Sequence, residues 1–146
     1  MANNDIEYRT MQKQDISKVL ELWQNSDGVH LHSNGEESSE GISRYLERNP
    51  GFSFVAVCQD KIIGAVMCGH DGRRGFINHL AVAPENRRRG IGKKLISLAE
   101  EQLSGAGIKK EALFVLCENE NAQKFYEHIG WREETAVKTY SKLLKG

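Results

Sequence analysis

Five basic side chains fall within eight positions, Arg87, Arg88, Arg89, Lys93 and Lys94, with Gly90 and Gly92 set among them. The apolar spacing that follows is helical, so this cluster stands at a helix amino terminus. A glycine costs a helix about 1 kcal/mol relative to alanine, and neighbouring cations repel. Both features need compensation. A helix start offers unpaired N–H groups and a partial positive charge. Glycines there remove Cβ atoms and let an anion reach the backbone, while the basic side chains neutralise it. The pattern suits a diphosphate.

Two common phosphate motifs are excluded. The dinucleotide fingerprint G-x-G-x-x-G fails because Leu95 holds the place of the third small residue. The P-loop G-x-x-x-x-G-K-[ST] fails because Arg87 replaces its first glycine and Lys94 its hydroxyl residue. R-x-x-G-x-G remains, directly after a run ending "LAV-x-P".

The 146 residues predict a single domain, 1–146, with a core that needs no staple. Lys and Arg number 20, as do Asp and Glu, which argues against a dedicated nucleic-acid or membrane-surface protein. Cys58, Cys68 and Cys117 are odd in number and form no C-x-x-C pair. They read as small buried hydrophobes in a reduced compartment, and no metal site is indicated. "MANNDIEYR" is not a signal peptide, and no apolar run reaches the ~18 residues of a membrane span. The expectation is a soluble, cytoplasmic protein.

The elements that must position the cluster follow from periodicity. "IEYR" predicts a strand, "QDISKVLELWQNS" a helix with Asp15 as N-cap, and "SEGISRYLERN" a second helix. Ser33, Ser38 or Ser39 would cap the latter, beside the solvated acids Glu36, Glu37 and Glu40. "FSFVAVC", "IIGAVMCG" and "FINHLAV" predict an antiparallel meander, with "QDK" as its first hairpin. The next helix places Ile91, Leu95, Leu98, Ala99 and Leu103 on one face. "ALFVLC" predicts a parallel partner strand. "ENENAQKFYEHIG" predicts a helix with Ala122, Phe125, Tyr126 and Ile129 inward and Gly130 at its end, and "AVKTYSKLL" a last strand. The fold class is α+β, a mixed, mostly antiparallel central sheet flanked by helices.

The R-x-x-G-x-G site resembles the acetyl-CoA motif of the GNAT (Gcn5-related) N-acetyltransferase superfamily. "NENAQKFYEHIGW", residues 119–131, is similar to a second element of that family, N-x-x-A-x-x-[FL]-Y-E-x-x-G-[FW]. The element order also matches, and "GHDGRRGFINHLAV" is similar to small bacterial members. The resemblance implies an acetyl-CoA-dependent N-acetyltransferase of that fold, acting on a primary amine. The acceptor could be a metabolite, a peptide amino terminus or a lysine. It implies that the strands around "FINHLAV" and "ALFVLC" splay apart to admit the pantetheine arm. Leu80, Ala81 and Val82 would then hold the arm, with an N–H near Leu80 polarising the thioester carbonyl. The diphosphate would rest on residues 87–93, which adds Ile91 to the basic residues and glycines already named. Asn119 would also contact the cofactor.

Tyr126 matches the position of the family's usual general acid; its bland alternative is a core aromatic. His79 would lie beside the reactive carbon, and imidazole titrates in the right range for a base. With a regular pleat, however, it faces away from Leu80, as a satisfied core histidine would. Members that modify ribosomal alanine termini carry Glu where this chain has Phe114, which leaves Glu118 or a water-relayed base as alternatives. His30 and His32 fall where the family builds its acceptor pocket. Asp71, Arg73 and Arg74 either line that side or form a charged turn. A catalytically silent acyl-CoA-binding module is the alternative function. Neither nucleic acid nor membrane is an expected partner, and a homodimer is compatible with the sequence.

Overall fold

The structure, a computed structural model, describes residues 5–26 and 38–145. His30, His32, Ser33, Glu36 and Glu37 lie outside them. The chain divides into two compact units, Met1–Phe114 and Val115–Gly146.

The first unit is built on a five-stranded sheet in the order β1 (Glu7–Thr10), β2 (Phe54–Cys58), β3 (Lys61–His70), β4 (Gly75–Val82) and β5 (Glu111–Leu113). The first four are antiparallel neighbours and β5 joins β4 in parallel. The β2–β3 hairpin turns on Gln59 and Asp60, both at positive φ (50° and 63°). That is the handedness a two-residue hairpin requires.

Helix α1 (Ile16–Gln24) packs on β3 and β4 and carries α2 (Ser39–Arg48) beside it. Helix α3 (Ile91–Gly105) packs on β2, β3 and β4 and makes the crossover from β4 to β5. The faces are distinct: a Cβ on Gly75 would strike Leu103 of α3 at 2.6 Å. Ile77, two residues on, shares that face, whereas Met67 and Asn78 meet α2.

Ile91, Leu95, Ile96, Ala99 and Leu103 are buried along α3. Ile96 therefore takes the core place expected for Leu98. Removing a side chain such as Leu95, which has no exposed surface, would cost about 2–5 kcal/mol. Trp23, Val19 and Ile42 form the core on the other face. Asp15 does not cap α1, contrary to its sequence reading; its carboxylate takes two bonds from Arg9 (2.7 and 2.9 Å) and one from the Gln12 amide. A guanidinium on the preceding strand offers a better partner than an exposed amide, so Asp15 ties β1 to α1. Ser38 caps α2 by accepting from Gly41 N–H at 3.0 Å. The far end of α2 docks through Asn49, whose Oδ1 accepts from His70 N–H. Asn49 lies so close over Gly69 that a Cβ there would fall 2.6 Å from its Cγ.

The second unit contains α4 (Glu120–His128), capped by Asn119 Oδ1 accepting from Ala122 N–H at 3.1 Å. Gly130 follows the helix with φ 104°. Ala122, Phe125, Tyr126 and Ile129 are half-buried. Two strand expectations are corrected. "ALFVLC" contributes only Ala112 and Leu113 to β5, and Phe114 beyond them is 72% exposed. "AVKTYSKLL" forms no strand among the described residues, and Tyr140 and Leu144 are each 89% exposed. Alternation marks which face a strand would bury, but a strand exists only with a ladder partner. The three cysteines also differ from expectation: Cys68 is buried, Cys58 half-buried and Cys117 exposed.

Glu111 on β5 faces Glu100 on α3. Burial, then hydrogen bonding and charge from Glu100, raises its pKa from 4.5 to about 8. Two carboxyl groups can share a bond only if one keeps a proton. The unfolded chain ionises Glu111 in the ordinary range, so its contribution to stability is complete below about pH 4 and is lost as pH rises through about 8. Glu111→Gln should flatten the fall of the thermal midpoint between pH 5 and 8.5. An unchanged slope would show that this pair does not govern it.

Candidate active site

Strand β4 carries one residue too many. Ala81 pairs with Ala65 and Asn78 with Met67, so Val66 stands opposite both His79 and Leu80. This β-bulge breaks the ladder and resets the pleat. His79 takes up the extra length at φ 50°, a left-handed conformation that costs a non-glycine residue about 1–3 kcal/mol. It therefore does not face away as a regular pleat requires. Its ring lies on Trp23 of α1, centroids 4.7 Å apart, and both it and Asn78 line one cavity.

That cavity, about 360 Å³, lies between the α1/α2 layer and the sheet. Trp23 and Met67 form apolar walls, and α2 supplies Arg44, Tyr45 and Arg48. Asn78 Nδ2 donates to the Tyr45 hydroxyl at 3.1 Å, fixing its amide. Burial raises the Tyr45 phenol to about 12, so it remains neutral. Trp23, at the base of α1, holds a buried indole N–H without a hydrogen-bond partner among the described residues.

The opposite edge of β4 is open. Its pairing with β5 covers only Gly75, Phe76 and Ile77. From Asn78 to Val82 no strand among the described residues borders that edge. Leu80 and Val82 thus turn backbone toward the side where pantetheine was expected, whereas Ala81, paired with Ala65, turns its own toward β3.

Beyond β4 the chain makes one 3-10 turn, Pro84–Asn86, and then enters α3 through Arg88 (φ 66°) and Gly90 (φ 77°). The first helical bond runs from Lys94 N–H to Gly90 C=O at 3.0 Å. The amides of Ile91, Gly92 and Lys93 precede it and have no helical acceptor. Arg87, Arg88, Arg89, Gly90 and Lys93 are exposed around them, whereas the Ile91 side chain is buried in the core. A Cβ built on Gly90 meets nothing within 4 Å, so the space before the turn is open. Lys94 reaches toward the Tyr8 ring, 6.0 Å from its centre. Burial raises the Tyr8 phenol, and the Arg89 charge opposes that rise.

Tyr126 in the second unit packs against Phe125 and Trp131, with ring centroids at 5.1 and 5.7 Å. Burial raises its phenol to about 12. Asn119 spends its carbonyl oxygen on capping α4, which leaves its amide nitrogen for other use. Glu118 is exposed. Asp71 is a turn residue, accepting from Arg73 and Arg74 N–H groups at 2.8 Å each, and all three are exposed. Sequence reasoning missed Tyr8, Trp23, Arg44, Tyr45, Arg48 and Asn78. Arg44 and Arg48 had a signal in their i, i+4 spacing, which puts both on one face of α2.

Residues 16–131 match the acetyltransferase (GNAT) family. An acetyltransferase of Sodalis glossinidius is 31% identical over 139 residues, covering 95% of this chain and 96% of that protein. One from Pectobacterium atrosepticum is 31% identical over 140 residues, covering 96% and 97%. The PaiA N-acetyltransferase of Thermoplasma acidophilum, solved in complex with coenzyme A, aligns with a TM-score of 0.79 at 21% identity, covering 89% of this chain and 91% of that one. An aminoglycoside N-acetyltransferase in complex with a CoA bisubstrate analogue aligns with a TM-score of 0.74 at 23% identity, covering 96% and 99%. The two solved structures share the fold of this chain.

The turn into α3 gives a test independent of any ligand. Gly90→Ala should cost about 1–2 kcal/mol, because the left-handed backbone alone is penalised and the new Cβ is unobstructed. Gly90→Asn should cost less, since asparagine tolerates that conformation. Thermal denaturation reads both; equal losses would mean that the φ of this residue is not the constraint.

Proposed function

The chain belongs to the acetyltransferase (GNAT) family, and we propose that it transfers acetyl from acetyl-CoA to a primary amine by direct attack in a ternary complex. The observation that carries this reading is strand β4. It joins an open backbone edge, a bulge at His79 and Leu80, and the bare amides at the start of α3 within sixteen residues, 78–93. The family match runs through residues 16–131 and supports reading the two units as a single domain.

The diphosphate of acetyl-CoA sits on the amides between Arg87 and Lys93, with Arg87, Arg88, Arg89 and Lys93 supplying charge. The pantetheine arm bonds along Leu80, Ala81 and Val82 as an added strand would. An N–H freed by the bulge near Leu80 donates to the thioester carbonyl and then to the oxyanion formed during attack. Asn119 contacts the cofactor through its free amide nitrogen. The amine enters from the cavity. It loses a proton to His79, directly or through a water, and its lone pair then attacks the carbonyl carbon. The C–S bond breaks, and the departing thiolate takes the Tyr126 proton. Held to about 12 by burial, that phenol is fully protonated at neutral pH. No metal takes part in this scheme. Use of acetyl-CoA supports a cytoplasmic setting, and among the described residues no helix is long and apolar enough to cross a membrane.

Tyr126→Phe should lower turnover by about 10²-fold or more while acetyl-CoA affinity stays within two-fold. Calorimetry should register acetyl-CoA binding that the Arg89→Glu, Gly90→Glu double variant abolishes. Unchanged turnover in the first variant removes Tyr126 from its role. Cofactor binding without acceptor-dependent CoA release would make the chain a silent acyl-CoA module.

A further inference from the structure

The cavity beside His79 has an electrostatic bias that its shape does not require. Arg44 and Arg48 are its charged lining residues, and no carboxylate lines it among the described residues. Their i, i+4 spacing sets two guanidinium groups on one face of α2, an arrangement that opposes helix formation unless something answers the charge. Glu47 is paired with Lys13; Glu40 and Glu47 line the neighbouring groove, which Arg44 also borders, and neither lines the cavity. Among the described residues, neither arginine has a carboxylate within ion-pair distance.

The neutral groups lean the same way. Tyr45 keeps its proton and Asn78 spends its Nδ2 on the Tyr45 hydroxyl, so no anion is generated there. Asn49 has both its Oδ1 and its Nδ2 engaged. The buried indole N–H of Trp23 adds a further donor, without an acceptor among the described residues. A protonated amine approaching this cavity meets positive charge, and a polycation meets more of it. Entry is favoured only if the acceptor brings its own anion. The volume, about 360 Å³, suits a small molecule.

We propose that the acceptor is a small primary amine that also carries a carboxylate or phosphate, held by Arg44 and Arg48 with its amino group at Asn78 and His79. This rests on the transferase reading above and sharpens it. Guanidinium is suited to either anion because its fork matches both in bidentate geometry. The expected selectivity is opposite to that of an enzyme for aminoglycosides, whose substrates are polycations.

Matched amines test it: β-alanine against β-alanine amide, O-phosphoethanolamine against ethanolamine, and spermidine as the polycation. Free CoA is measured chromatographically, because exposed Cys117 would consume a thiol reagent. In parallel, calorimetry follows binding of each amine to the CoA-loaded protein. The anionic member of a pair should exceed its neutral partner in kcat/KM and in affinity by at least about ten-fold. Whichever of β-alanine and O-phosphoethanolamine gains more identifies the anion. In Arg44→Gln, Arg48→Gln, both exposed positions on α2, the anionic-to-neutral ratio should collapse toward one. Acetylation of neutral amines or spermidine as readily as the anionic ones would overturn this inference and leave the transferase reading standing. Arginine-dependent binding of anionic amines without acetyl transfer to any amine would uphold it and remove the transferase reading. An unaltered ratio in the double variant, or no detectable binding of any anionic amine, would overturn it.

Discussion

The site depends on a single extra residue in β4. A regular antiparallel strand alternates its side chains, so a group on one face is two residues from the next. Here Val66 answers two residues, and the faces exchange at that step. Ile77 lies on the α3 face, and Ala81 would share it if the pleat were unbroken. Pairing Ala81 with Ala65 moves it to the α1/α2 face instead. The same step lets Asn78 and His79 face one cavity and takes the backbone at Leu80 out of the ladder. Its cost is a histidine at φ 50°, whose ring lies against Trp23 at a tilt of 44°. Side-chain placement on one side and a free amide on the other thus have one geometric cause.

The bulge also separates the two sides of β4. Past Ile77 the strand has lost β5 and not yet reached α3, so among the described residues no strand pairs with its edge for five residues. Any chain that bonds to this edge is steered along β4 into the first turn of α3. There the left-handed Arg88 and Gly90 bring the backbone round so that successive amides point outward before helical bonding begins at Lys94. The cavity beside His79 opens from the other face of the same strand. The two approaches meet at the bulge.

Much of this was legible in the sequence because local periodicity carries it. The 3.6-residue spacing of Ile91, Leu95, Ala99 and Leu103, the "QDK" hairpin and the basic glycine-bearing turn all depend on neighbours a few positions away. The bulge was not, since it is a property of the Ala65–Met67 register and appears only when two strands pair. Asp15 shows the same limit. Its position before an apolar helix fits a cap, but Arg9, brought alongside by β1, holds the carboxylate and keeps it well below the usual range. The acceptor wall escaped for a related reason. Arg44 and Arg48 look like ordinary solvated helix residues until the Asn49 contact at Gly69 seats α2 against the sheet. "AVKTYSKLL" fails in the opposite direction: its alternation is present, yet no described strand pairs with it.

A chain with 20 acidic and 20 basic residues is neutral overall, yet its basic residues are clustered. Neutrality constrains only the sum. Arg44, Arg48, Arg87, Arg88, Arg89, Lys93 and Lys94 gather seven of the positive charges on two surfaces, and several acids have other partners. Asp15 is consumed by Arg9 and Glu47 by Lys13. Asp71 is turned onto backbone amides. Glu100 and Glu111 are set against each other on the α3 side of the sheet, where one must hold a proton instead of a cation. Each of these carboxyl groups has a partner other than the seven basic residues. The Glu100–Glu111 contact, unfavourable on its own terms, thus places two carboxyl groups against each other on the α3 side of the sheet, apart from the cavity that Arg44 and Arg48 line.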